Sequence, residues 1–220
     1  MKVPQAVPSS SDWSEAPSGG TFNRAFFDRP AECVAPDLLG ARLESTVGGL
    51  RATGVIVEVE AYTGRDDPAS HAAARIGRTR RNASMFGAPG TAYVYWSYGI
   101  HWCLNVVTGP IGDPCAILLR AVDPIEGIGI MAERRGREWD LASGPGRLGQ
   151  AFAVTDVLDA HDFASPPLKL LPGWPRPARA IDVSPRIGVS QARNWPLRFS
   201  VRGNASVSRL RRSAAVETSM

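Results

Sequence analysis

The chain has 220 residues, 44% of them hydrophobic, with 25 basic against 21 acidic side chains and a net charge of +4. That is one domain's worth of core rather than two, and a balance that permits a polyanionic partner without demanding one. Cys33, Cys103 and Cys115 stand at unrelated spacings with no C-x-x-C or histidine cluster, which excludes a zinc site and leaves reduced, buried thiols as the expectation. No run reaches the roughly 18 apolar residues of a membrane span and the N-terminus lacks a signal-peptide core, so no membrane partner and a cytoplasmic location are expected.

Residues 1–20 are rich in Ser, Pro, Ala and Gly without periodicity and read as a disordered tail. From Phe22 a short helical pattern leads to a helix that Pro30 starts and Gly40 ends as a left-handed cap. Residues 41–46 and 50–62 are apolar, β-branched runs on either side of Gly48-Gly49. They predict a hairpin whose second strand carries Glu58, Glu60 and Tyr62 on one face. Residues 63–90 hold Arg75, Arg78, Arg80 and Arg81 among Gly, Asp, Pro and Ser, the composition of a long functional loop. Residues 91–97 and 100–107 read as strands joined at Ser97-Tyr98-Gly99, which puts Tyr98 at an exposed tip.

Residues 115–121 form a further predicted strand. Asp123-Pro124-Ile125-Glu126 then has an N-cap, a first-turn proline and a capping-box glutamate, predicting a helix that starts there and runs to about Arg135. Ser143-Gly144-Pro145 reads as another helix start. Residues 158–180 are Pro-rich and are placed in a surface excursion, 181–189 and 197–202 in closing strands, and 207–220 in a flexible tail.

Glu60 lies in an otherwise apolar strand, where a carboxylate is costly unless it is paired or employed. A salt bridge to one of the arginines and a general base are both consistent with that placement. Glu58 and Glu60 have Cα atoms about 6.6 Å apart, a separation that admits acid/base work at a glycosidic bond. Within the aromatic hairpin, Val94, Trp96, Ile100, Trp102 and Leu104 read as core or sheet packing. A large aromatic at a turn tip, as at Tyr98, instead fits a wedge between bases. His71 reads on its own as a solvated surface residue. Asn105 shares a strand face with Cys103 and Val107, where its amide needs partners.

Glu58-Val59-Glu60-Ala61-Tyr62, Ser70-His71-Ala72, Arg81-Asn82, Met85-Phe86, Pro89-Gly90-Thr91, Tyr93-Val94-Tyr95, Tyr98-Gly99, Asn105, Leu118-Leu119-Arg120-Ala121 and Ser143-Gly144-Pro145 follow one another in a family-specific order. Order and spacing resemble those of the alkyladenine (3-methyladenine) DNA glycosylase family, bacterial members in particular. The resemblance implies an α+β fold: a single domain over residues 21–206 with a curved, mainly antiparallel β-sheet, peripheral helices and a protruding DNA-inserting β-hairpin. It implies a monofunctional glycosylase, expected as a monomer, that flips alkylated or deaminated purines out of double-stranded DNA and hydrolyses the N-glycosidic bond.

Residue by residue, Glu60 matches the general base, and Arg120 with the backbone carbonyl of Ile187 matches the groups that hold the attacking water. Tyr62, His71 and Tyr95 match the aromatics around the flipped base, Asn105 the residue that disfavours the 2-amino group of guanine, and Tyr98 the DNA-intercalating wedge. The chain departs from the pattern at Thr79-Arg80-Arg81-Asn82, where Arg80 replaces a common proline and leaves the loop's shape open. No lysine occupies a nucleophile position, and no metal or organic cofactor is implied. A non-catalytic nucleic-acid-binding module of the same fold, with Glu60 structural, is the alternative from another class.

Overall fold

The computed structural model describes residues 20–208. The predicted N-terminal tail, but for Gly20, and the C-terminal tail from residue 209 lie outside the described residues. In chain order the strands are β1 (Arg42–Ser45), β2 (Ala52–Tyr62), β3 (Ala92–Ser97), β4 (His101–Thr108), β5 (Cys115–Glu126), β6 (Leu168–Leu171), β7 (Ile181–Ser184) and β8 (Arg198–Val201). The helices are α1 (Arg24–Phe27), α2 (Ala31–Asp37), α3 (Ile128–Arg135) and α4 (Pro145–Ala151).

The strands make one sheet in the order β3-β4-β5-β2-β1-β6, with β8 added to β2 and β7 to β8, and every pairing is antiparallel. The long strands β2 and β5 are its axis. The outer edge of β2 is divided, with residues 52–55 pairing β1 and residues 58–60 pairing β8. The half that carries Glu58 and Glu60 therefore lies between β5 and β8.

Alternation along these strands sorts the molecule into two layers. Val59, Ala61, Leu104, Val106, Ile117 and Leu119 face the main core, which is closed by Phe27 of α1, Val34 of α2, Met131 of α3 and Leu148 of α4. Burying an aliphatic side chain of this kind contributes roughly 1.5–3 kcal/mol, so this layer carries most of the stability. The opposite face is covered differently, with a short 3-10 turn at Ala83–Phe86 in place of the α-helices. There Tyr93, Val107 and Ala116 meet Ala72, Met85 and Phe86 from the 63–90 segment. That loop covers this face together with residues 187–190, and a cavity remains between them.

Several expectations need correction. The helix predicted from Asp123 does not begin there: β5 continues to Glu126, and α3 starts after Gly127. The Asp123 carboxylate accepts from Asn204 Nδ2 and Ser206 Oγ instead of capping a helix. Pro124 lies opposite Gly54 beside a register shift, the kind of site where a strand tolerates proline. Gly54 has no alternative here, since a Cβ would sit 2.3 Å from Val122 Cγ1.

The 158–180 stretch is no mere surface excursion. It contains β6, paired with β1, and buries Phe163, Leu168 and Leu170. Cys33 is exposed, unlike Cys103 and Cys115, and all three are free. Trp96 and Ile100, assigned to packing, are 43% and 72% exposed. Beyond residue 206, Val207 packs on the core and Ser208 bonds to Glu58. Among the described residues no helix is long and apolar enough to cross a membrane.

Candidate active site

Directly paired residues of an antiparallel sheet project from the same face. Tyr93, Asn105, Leu118, Glu60 and Arg198 are successive partners across β3, β4, β5, β2 and β8, and so make a row across the face opposite the main core. Tyr95 opposite Cys103 and Tyr62 opposite Ala116 flank it. Over this row lies a cavity of about 570 Å³ that Tyr62, His71, Tyr95, Asn105, Arg120 and Ile187 help to line. Glu60 itself is fully buried in the floor, attached to three lining residues.

Those attachments define its geometry. Glu60 Oε1 accepts from the Ile187 backbone N–H at 2.7 Å and lies 3.1 Å from Arg120 Nη1, while Oε2 accepts from Tyr62 Oη at 3.0 Å. A carboxylate has about four acceptor directions, so one is left for a further donor. Burial raises the Glu60 pKa; Arg120, the Ile187 N–H and Tyr62 oppose that shift, Glu58 adds to it, and the net direction is upward. Sequence reasoning assigned the Ile187 carbonyl to the site; here it is the Ile187 N–H that touches Glu60.

Arg120 reaches both glutamates because the strand pairing is irregular at this point. Ile56 pairs with Val122, Glu58 with Ala121 and Val59 with Leu119, which leaves Val57 on β2 and Arg120 on β5 without partners. These two offsetting bulges restore the register on either side, and a bulge re-aims the side chain it carries. The Arg120 Nε donates to Glu58 Oε1 at 2.8 Å, and Arg198 Nε donates to the same oxygen at 2.7 Å. Two glutamates and two arginines thus form a nearly dry, charge-balanced cluster. Burial works to raise the Glu58 pKa, but Arg120, Arg198 and Ser208 outweigh it and hold the group lower than usual.

His71 departs from the solvated reading. Its Nδ1 lies 2.8 Å from Tyr93 Oη, its ring meets Tyr95 edge-on with centroids 4.5 Å apart, and it lines the cavity. Burial, helped by the Arg81 charge, lowers its pKa to about 4, so the ring is neutral at pH 7. Asn82 shapes the loop whose form was open: its amide donates to the His71 and Gly77 carbonyls and accepts from the Thr79 N–H. Asn105 Nδ2 donates to the Tyr93 carbonyl, which fixes its amide in the cavity wall.

Tyr98 lies at the hairpin tip, 81% exposed, with its Oη 3.5 Å from the Gly188 carbonyl across the cavity mouth. The Ser97 carbonyl accepts from the Ile100 N–H, and both residues between them have positive φ, 51° for Tyr98 and 68° for Gly99. Glycine adopts that backbone freely; a tyrosine there is strained by about 1–3 kcal/mol.

The sequence profile of the Methylpurine-DNA glycosylase family matches residues 25–205. The chain belongs to that family. Relatives named "Putative 3-methyladenine DNA glycosylase" include one from Rhodopseudomonas palustris strain BisB18, 47% identical over 87% of this chain and 92% of its own length. Others come from Frankia casuarinae (47%, covering 83% and 90%) and Agrobacterium fabrum (48%, covering 84% and 91%). As a methylpurine-DNA glycosylase family member the chain is a hydrolase of the DNA glycosylase class.

Sequence reasoning missed several residues of this glycosylase site. Arg186 and Asp67 form a buried ion pair, with Arg186 Nη2 donating to Asp67 Oδ1 at 2.8 Å, Nη1 bonding to Asp67 Oδ2 and also donating to the Ala61 carbonyl. The Arg186 guanidinium also lies 4.6 Å from the Tyr62 ring centroid, a cation–π contact that steadies the ring. The pair spans 119 residues of sequence, and no local pattern links its halves. Tyr93 did carry a signal, since it alternates with Tyr95 on one strand face.

Proposed function

We propose that this glycosylase excises alkylated or deaminated purines of the 3-methyladenine, hypoxanthine and ethenoadenine type from duplex DNA, acting as a monomer by base flipping and single-step hydrolysis. The observation that carries this reading is Glu60, held by Arg120, Ile187 and Tyr62 under an aromatic cavity with one acceptor direction unused. A water in that direction would give its proton to Glu60 as its oxygen attacks C1′ of the flipped nucleotide. Arg120 and the Ile187 carbonyl hold the water, and the departing base leaves with the glycosidic electron pair. Preset hydrogen bonds need no rearrangement as the sugar turns cationic.

Tyr62, His71 and Tyr95 hold the purine, and a neutral His71 avoids repelling a cationic lesion. Each base–aromatic stack contributes roughly 1–3 kcal/mol. Asn105 excludes the 2-amino group of intact guanine, and Tyr98 enters the vacated stack. The test is incubation with duplex oligonucleotides bearing a single hypoxanthine, ethenoadenine or 3-methyladenine. Alkali-labile abasic sites are expected with at least one, and none with all three lesions would sink the reading.

Two further outcomes are expected. Because the Glu60 carboxylate is the reactive form and burial raises its pKa from the ordinary glutamate value, single-turnover excision falls as pH drops through a midpoint above that of an ordinary glutamate. His71, at about 4, adds no limb between pH 5 and 8. A midpoint at or below the ordinary glutamate value would contradict this assignment. Tyr98→Gly should relieve backbone strain and raise the melting temperature slightly, yet weaken binding to lesion duplex about 5- to 100-fold. Unchanged affinity would remove Tyr98 from the interface.

A further inference from the structure

Glu58 is fully buried and does not line the cavity. Its carboxylate accepts four hydrogen bonds: Arg120 Nε, Arg198 Nε and Ser208 Oγ donate to Oε1, and the Ser208 backbone N–H donates to Oε2 at 2.7 Å. Ser208 lies beyond the last strand. The segment that brings it back is fastened to β5, where Asn204 Nδ2 and Ser206 Oγ bond to the carboxylate of Asp123, three residues past Arg120. Val207 packs on the core between these contacts. Ser208 also closes on the arginines, with its Oγ 3.4 Å from Arg120 Nη2 and its carbonyl 3.4 Å from Arg198 Nη2.

A guanidinium is planar, so fixing its Nε fixes where both terminal nitrogens point. Glu58 holds Arg120 Nε, and Nη1 of the same fork then meets Glu60. The bulge that releases Arg120 from regular pairing leaves its direction to these side-chain contacts.

We propose that Glu58 and residues 204–208 form a clasp that aims the Arg120 guanidinium at Glu60, with Glu58 as positioning residue and Ser208 as its lock. The segment after β8 is then part of the working enzyme. This rests on the reading of Glu60 and Arg120 as the water-activating pair. A group that merely balanced buried charge would leave the aim of Arg120 unaffected, and the difference is measurable.

The experiment uses the full chain with Ser208→Ala, Ser208→Thr, Glu58→Gln and, as control, Glu60→Gln, reading single-turnover excision across pH, affinity for lesion duplex, and thermal unfolding. Ser208→Ala keeps the Glu58 charge and removes only the hydroxyl's contacts to Glu58 and Arg120. Its rate should fall about 3- to 10-fold with affinity within about two-fold. Its acid limb should move to higher pH as Arg120 withdraws from Glu60, and Ser208→Thr should restore both. Glu58→Gln should lose roughly 10²-fold in rate, the scale of a small misplacement. Unchanged rates and acid limbs in Ser208→Ala and Glu58→Gln, or losses that track only the folded fraction, overturn the clasp while Glu60→Gln remains impaired. No excision by the wild type, or full excision by Glu60→Gln, overturns the underlying reading and the clasp with it.

Discussion

Glu60→Gln is expected to lower the excision rate about 10²- to 10⁴-fold, the usual contribution of a positioned general base, while lesion-duplex binding persists. The substitution suits the test because the amide oxygen can still accept from Ile187 and lie beside Arg120, and the amide NH₂ can donate to Tyr62 Oη with that hydroxyl turned round. The fold therefore has little reason to change. What disappears is the basic carboxylate oxygen, the acceptor for the water's proton in the proposed mechanism. Losing one negative charge beside Arg120 and Arg198 leaves the cluster with excess positive charge, so a small fall in melting temperature accompanies the kinetic loss. The measurement is single-turnover excision at saturating enzyme beside equilibrium binding of the same duplex. Full activity in the variant would remove Glu60 from the chemistry and return it to the role of a buried ion-pair partner.

The largest stability effect is expected from Asp67→Ala. Asp67 and Arg186 are both fully buried, and removing one partner of such a pair leaves the other charged and unpaired, at a cost of about 3–5 kcal/mol. For a chain of this size that corresponds to a fall in melting temperature of roughly 10 °C. The loss should reach the site as well. Asp67 accepts from the Thr63 and Ala69 backbone N–H groups, and Arg186 anchors the strand end at Ala61, the Tyr62 ring and the adjoining Ile187. Excision measured below the new melting point should fall even where the variant remains folded. A change below about 1 kcal/mol by thermal or denaturant unfolding would show that water solvates Arg186 at no penalty, against its burial.

Much of the architecture was legible because it depends on neighbours in sequence. The apolar, β-branched run at 50–62 and the aromatic and β-branched residues of 91–97 and 100–107 specified strands, and the string Tyr98-Gly99 specified a tip. Glu58, Glu60 and Tyr62 were placed on one face by period two alone. The ordered motifs also pointed to the family that the profile match identifies.

Local signals failed where a distant partner changed their meaning. Asp123-Pro124 has the composition of a helix start, yet Asn204 and Ser206 occupy the Asp123 carboxylate and Gly54 admits the strand closely. The β6 alternation was hidden by flanking prolines and needed β1 to give it a partner.

The sequence by itself determined which side chains could share a strand face, since that follows from covalent geometry and a period of two. It also determined that a carboxylate in an apolar strand required a partner or a task. Only the tertiary structure decided which partners Glu60 has: Ile187, Arg120 and Tyr62. The bulge at Arg120, the 127-residue reach to Ile187 and the return of Ser208 to Glu58 are all contacts between separated segments. Burial and charge pairing act through space, and their strength depends on which groups the fold brings within about 3 Å, which no window of sequence contains.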